Sequence, residues 1–157
     1  MQLTSPAFKE GETIPSVYTC DGGPPAGGIS PPLAIEGVPA GAKSLVLIMD
    51  DPDVPKQLHP EGVFDHWVLF NISPTILEIG EDGSAGTPGV NGRGQSSYAG
   101  PCPPPQYEPS THRYIFTLYA LDTELALRTG AGKKEVLASA EGHVLAQAAL
   151  VGMYKRR

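Results

Sequence analysis

Three short apolar runs organise the chain: residues 44–49 (SLVLIM), 67–72 (WVLFNI) and 113–121 (RYIFTLYAL). Each is too short for a typical helix and ends at a turn signal, either an Asp or a Ser-Pro pair. The pattern predicts strands buried on both faces. Residues 8–20 (FKEGETIPSVYTC) predict weaker edge strands, because Gly11 and Pro15 interrupt them. Residues 30–39 (SPPLAIEGVP) form another short extended piece. Good helix formers at Lys133–Ala140 predict a helix, with Thr129 or Gly130 as its cap. Residues 143–154 (HVLAQAALVGMY) fit two periods. Their Ala and Leu content suits a helix, whereas Val144, Ala146, Ala148, Leu150 and Gly152 fall on one face at period two.

Residues 73–112 join the second and third runs and contain seven Gly and seven Pro. Long connections without regular structure are uncommon in compact domains and are usually functional. The aromatic and proline content here (Tyr98, Pro101, Pro103, Pro104, Pro105, Tyr107) predicts an ordered wall.

Composition narrows the class. A length of 157 residues fits one domain over 1–157. Gly 19 and Pro 17 mark a turn-rich chain, while 40% hydrophobic residues argue for a folded one. A formal net charge of −6 weighs against non-specific nucleic-acid binding, which runs on surplus Lys and Arg. No stretch is long and apolar enough for a membrane span, and the start MQLTSP has no secretory-signal pattern. Cys20 and Cys102 are too few for a disulfide framework, so we expect two reduced thiols in a cytoplasmic protein. Lys155-Arg156-Arg157 reads as a solvated tail.

Candidate chemistry gathers at the ends of the predicted strands. Asp51 and Asp53 follow the first, His66 precedes the second, and His112 precedes the third. Antiparallel neighbours would bring these ends together under the Gly/Pro connection. A carboxylate holding an imidazole, a second imidazole and loop N–H groups would make a small anion site. Tyr98 and Tyr114 could supply hydroxyls and aromatic walls. His59 and His143 fall outside this cluster. Two His and two Asp could hold a metal, but their spacing fits no standard motif, and we assign no metal or other cofactor. Gly89-Val90-Asn91-Gly92-Arg93-Gly94 loosely resembles a phosphate loop without the strand-and-helix context.

Four segments in order carry a resemblance: DDPDVP (50–55), FDHWVLFNI (64–72), YAGPCPP (98–104) and HRYIF (112–116). Together they resemble the phosphatidylethanolamine-binding protein family, in its bacterial and archaeal Raf-kinase-inhibitor-like branch. The resemblance implies a mainly β fold: a central antiparallel sheet with a second smaller sheet packed on it and one or two peripheral helices. It implies a strand rather than a helix within 143–154. It also implies a small pocket for phosphate-like anions, walled by Asp51, Asp53, Pro55, His66, Tyr98, Gly100, Pro101, Cys102, Pro103, His112 and Tyr114. The two histidines would donate to the anion. The two aspartates would orient them or receive the cationic end of a zwitterion such as phosphoethanolamine.

The implied function is non-enzymatic binding of a small phosphate-bearing ligand or a phosphorylated protein, with modulation of a kinase or protease. A His/Asp hydrolase of small phosphoesters is the alternative. Exposed edge strands would allow a homodimer. This chain departs from the branch at Asn91-Gly92-Arg93-Gly94, where an aromatic is usual, and Arg93 would add positive charge near the pocket.

Overall fold

A computed structural model describes residues 1–23 and 27–156. Its strands are β1 (Gln2–Thr4), β2 (Leu33–Glu36), β3 (Ser44–Asp51), β4 (Phe64–Ile72), β5 (Glu78–Ile79), β6 (Thr87–Pro88), β7 (Thr111–Leu121) and β8 (Val144–Lys155). One α-helix, α1 (Lys133–Ala140), precedes β8. Five strands form an antiparallel sheet in the order β6-β4-β3-β7-β8, and β1-β2-β5 form a smaller antiparallel one. The fold is therefore mainly β, with two sheets and a peripheral helix.

Alternation along the central strands sorts the core into two layers. Leu45, Leu47, Met49, Trp67, Leu69, Tyr114, Phe116 and Leu118 face the small sheet and meet Leu3, Leu33, Ile35 and Ile79. Val46, Ile48, Val68 and Phe70 face the other way, against Val136 and Ala140 of α1. Both faces are covered, which is why these strands read as continuous apolar runs rather than alternating ones.

Several expectations need correction. Residues 8–20 contain no strand. Thr13 makes an isolated bridge to Met153, and Ser16–Tyr18 form a single 3-10 turn. A positive φ of 75° at Gly11 and the turn starting at Pro15 prevent a continuous ladder. The helix begins where expected, but its N-cap is Gly132, whose N–H donates to the Glu135 side chain at 3.0 Å. The ambiguous segment is strand β8, paired along its length with β7. Arg156 is not simply solvated, since it pairs with Asp21 at 3.3 Å, and Arg157 lies outside the described residues.

Cys20 and Cys102 are joined in a disulfide, with Cα atoms 5.4 Å apart. This overturns the expectation of two reduced thiols. Two cysteines 82 residues apart carry no distance information in sequence, and only the folding of the Gly/Pro connection brings them together. The argument for a cytoplasmic location that rested on free thiols falls with them. Among the described residues, no helix is long and apolar enough to cross a membrane.

Candidate functional site

The chemistry sits inside the strands rather than beyond them. β3 runs on through Asp51, β4 starts at Phe64, and β7 starts at Thr111. Asp51 and His112 are therefore ladder residues, and His66 lies within β4 on the same rigid sheet. β3 lies between the other two strands, so its carboxylate meets both imidazoles.

A local irregularity aims His66. Met49 pairs with Trp67, yet Asp50 pairs with Asp65, which leaves His66 as the extra residue of a β-bulge. From Trp67 on the inner face, strict alternation would send His66 to the helix side. The bulge returns it to the inner face beside Asp51 and sends Asp65 outward. There Lys133 of α1 bridges Asp65 at 2.6 Å and Asp50 at 2.9 Å.

His112 Nδ1 lies 2.7 Å from Asp51 Oδ2, and His66 Nε2 lies 4.0 Å from the same oxygen. Asp51 Oδ1 accepts the Asp53 backbone N–H at 2.9 Å. The other nitrogen of His66, Nδ1, meets the Ala99 carbonyl oxygen, while Ala99 N–H donates to the His66 carbonyl at 2.9 Å. A carbonyl only accepts, so Nδ1 carries the His66 proton. Tyr114 backs both imidazoles, edge-on to His66 at 5.2 Å and stacked on His112 at 6.4 Å.

Burial dominates the electrostatics. Desolvation lowers the His66 pKa to about 4, against the raising effect of its bond to Ala99, and the charge of Arg93 lowers it further. His66 is neutral at pH 7. Desolvation also raises the Asp51 pKa, with the His112 hydrogen bond opposing it. His112 Nε2 is buried and has no hydrogen-bond partner among the described residues.

These groups floor a cavity of about 400 Å³. Of the sequence-selected residues, Asp51, Pro55, His66, Cys102, Pro103 and His112 line it. The others support it from behind. Asp53 accepts three bonds from Arg113: one from its backbone N–H at 2.9 Å, one from Nε at 2.9 Å and one from Nη2 at 2.7 Å. That contact, first of all its side-chain hydrogen bonds, holds the Asp53 carboxyl below the usual range. Asp53 is thus committed to Arg113. Tyr98 donates to the Tyr18 carbonyl at 2.8 Å and packs edge-on against Trp67. Gly100 N–H donates to the Gly27 carbonyl at 2.8 Å, and the Pro101 carbonyl accepts Cys20 N–H at 3.0 Å.

Sequence reasoning missed Val54, Leu58, His59, Phe64, Gly92 and Pro104 as lining residues. Val54, Phe64 and Pro104 lay within the quoted motifs, where nothing in sequence set them apart from the neighbours that do not line the cavity. His59, set aside as a bystander, stands in the wall with its ring edge-on to Phe64 at 5.2 Å. His143 is remote and pairs with Asp122 at 2.7 Å. Among the described residues, no group of three or more His, Cys, Asp or Glu is arranged to hold a metal ion.

Comparison with known proteins gives a consistent picture. Residues 4–155 match the sequence model of a family described as phosphatidylethanolamine-binding protein. A "UPF0098 protein" of Methanothermobacter thermautotrophicus is 48% identical, with 99% of each chain covered. A "UPF0098 protein" of Chlamydia muridarum is 43% identical over the same shares. A crystal structure described as a putative phosphatidylethanolamine-binding protein homolog, CT736 from Chlamydia trachomatis, superposes with a TM-score of 0.92. It is 42% identical, and 99% of this chain and 97% of that one are covered. E. coli YbcL, described as a member of the mammalian family, superposes at 0.84 with 26% identity, covering 99% and 98%.

Proposed function

The chain belongs to the phosphatidylethanolamine-binding protein family, and from that premise we propose a binding protein whose pocket takes a phosphate-bearing small ligand. A phosphorylated side chain of a partner protein would enter by the same group. That is how such a pocket would modulate a kinase or protease.

The observation that carries this reading is His112 Nε2, buried at the cavity and without a hydrogen-bond partner among the described residues. A buried polar atom left unpaired costs about 1–3 kcal/mol, which a ligand that pairs it would recover. A neutral His112 donates from Nδ1 to Asp51, so its Nε2 presents a lone pair. An oxyanion fits when one proton arrives with it, either as a P–OH or on the ring. With the proton on the ring, Nε2–H donates to the oxyanion in a charge-assisted bond. Contacts to one anionic group are few, and bare phosphate should bind in the micromolar to millimolar range, about 4–8 kcal/mol.

An NMR titration of the histidine rings with inorganic phosphate and phosphoethanolamine tests this. Saturable shifts at His66 and His112, with His143 unmoved, are expected. Equal small drifts at all four rings would overturn the reading. Turnover of a phosphomonoester, abolished by His66→Ala, would replace it with a hydrolase.

A further inference from the structure

We propose that Arg93 is the cation that meets the ligand's anionic group, and that the pocket prefers phosphomonoesters of uncharged, apolar alcohols to zwitterionic ones. This rests on the oxyanion reading above and narrows its ligand class.

The loop that carries Arg93 is built as a platform. Asn91, itself buried, holds it from within. Its Oδ1 accepts the N–H groups of Arg93 at 2.8 Å and Gln95 at 3.1 Å, and its Nδ2 donates to the Ser97 carbonyl at 2.9 Å. Gly92 N–H donates to the Asp65 carbonyl at 2.8 Å, which fixes the loop to β4 next to His66. A Cβ on Gly92 would sit 2.6 Å from the Phe64 ring, so only Gly lets the loop lie this close to the cavity. The Arg93 guanidinium reaches across toward Gly27, where Nη1 is 3.9 Å from an ideal Cβ position.

Among the described residues, the carboxylates near the cavity are already engaged. Asp53 is bound to Arg113, Asp65 to Lys133, and Glu61 to Lys134. Asp51 is held by His112 and the Asp53 N–H. Arg93 lines the cavity and takes part in none of the ion pairs among the described residues. Its field nevertheless reaches His66. With both imidazoles neutral, the two formal charges of the lining are Asp51, buried on the floor with each oxygen already accepting a hydrogen bond, and Arg93, exposed at the mouth. An ammonium group entering with a phosphate would find no free carboxylate and would face a guanidinium.

The remaining wall is apolar, made of Val54, Pro55, Leu58, Phe64, Pro103 and Pro104. The volume of about 400 Å³ lies within the range of pockets for small organic ligands and exceeds what a bare phosphate fills. An apolar ester group fills it.

The test is a titration of wild type and Arg93→Gln with phenyl phosphate, inorganic phosphate and phosphoethanolamine. Arg93 is exposed, so the variant should fold. Wild type should bind phenyl phosphate about tenfold more tightly than phosphoethanolamine, and Arg93→Gln should lose about tenfold for phenyl phosphate, the size of one partly exposed charge-assisted bond. Equal wild-type affinities for all three, or an unchanged affinity in Arg93→Gln, would overturn the assignment while leaving oxyanion binding intact. A wild type silent to all three would overturn both.

Discussion

His112 donates from Nδ1 to Asp51 Oδ2 across 2.7 Å, and both side chains are almost wholly buried. The two oxygens of Asp51 meet two donors, His112 and the Asp53 N–H, so the carboxylate sets the tautomer of the imidazole.

Asp51→Asn should reverse that tautomer. An amide has one acceptor, which the backbone N–H of Asp53 claims, and its NH2 must then donate to His112 Nδ1. The ring proton moves to Nε2. Nitrogen-15 shifts should show neutral His112 protonated at Nδ1 in wild type and at Nε2 in the variant. The same tautomer in both would show that Asp51 does not orient the ring. Asp51 has its pKa raised by burial, so its ionised form costs stability at neutral pH, a cost that appears as pH rises through the folded pKa. Asp51→Asn should therefore be no less stable than wild type at pH 7.

The strand pattern was legible because both faces of β3, β4 and β7 are buried, leaving apolar runs that no amphipathic helix would show. The meeting of Asp51 with His66 and His112 followed from antiparallel order, and the structure places them within 4.0 Å of one oxygen. The bulge at His66 was not legible, since nothing in Asp65-His66-Trp67 marks an extra ladder residue. Asp53 was misassigned for a related reason. Arg113 faces it across the sheet end, and a carboxylate committed to a neighbour looks the same in sequence as a free one. The weak glycine-rich segment 89–94 gained meaning only from Phe64, a residue 28 positions earlier that packs beneath Gly92.

His66 should make stability depend on acid. Its folded pKa of about 4 lies below its usual 6.5, so the unfolded chain binds the proton more readily. The contribution is fully present above pH 6.5 and is lost as pH falls through about 4. It amounts to about 3 kcal/mol. Urea unfolding at pH 7, 5.5 and 4 should show this loss in wild type and a much flatter profile in His66→Gln. Parallel profiles would assign the acid sensitivity elsewhere.

Gly100→Ala and Gly94→Ala should separate packing from backbone strain. A Cβ on Gly100 would collide with the Gly27 carbonyl and lie 2.8 Å from the Tyr18 carbonyl, and backbone cannot yield as a side chain can. Gly94 has a φ of +76° with open space around it. Its substitution should cost only about 1 kcal/mol of left-handed strain. Gly100→Ala should cost several times more, about 3 kcal/mol or above, in the range of a severe core defect. Thermal melts of the two variants give the ratio. Equal costs would mean that the segment around Gly100 is free to shift.

Reducing the Cys20–Cys102 bridge should weaken the fold without dismantling the pocket. The bridge spans 82 residues and ties the segment after Tyr18 to the wall that carries Pro103 and Pro104. Opening a loop of this length releases entropy to the unfolded chain worth about 4–5 kcal/mol in the loop-closure account, with about 2–4 typical of measured cases. Other ties hold the same segments after reduction: Cys20 N–H to the Pro101 carbonyl, Gly100 N–H to the Gly27 carbonyl and Tyr98 Oη to the Tyr18 carbonyl. Dithiothreitol should therefore lower Tm by about 5–15 °C, and Cys20→Ser/Cys102→Ser should melt at the reduced value. Phosphate-induced shifts at His112, whose partners lie on the sheet, should persist below the new Tm. A Tm indifferent to reductant would mean that the bridge is open in solution. Loss of the His112 response on reduction would make the bridge a support of the binding site itself, and the three hydrogen bonds would then be too weak to hold the wall alone.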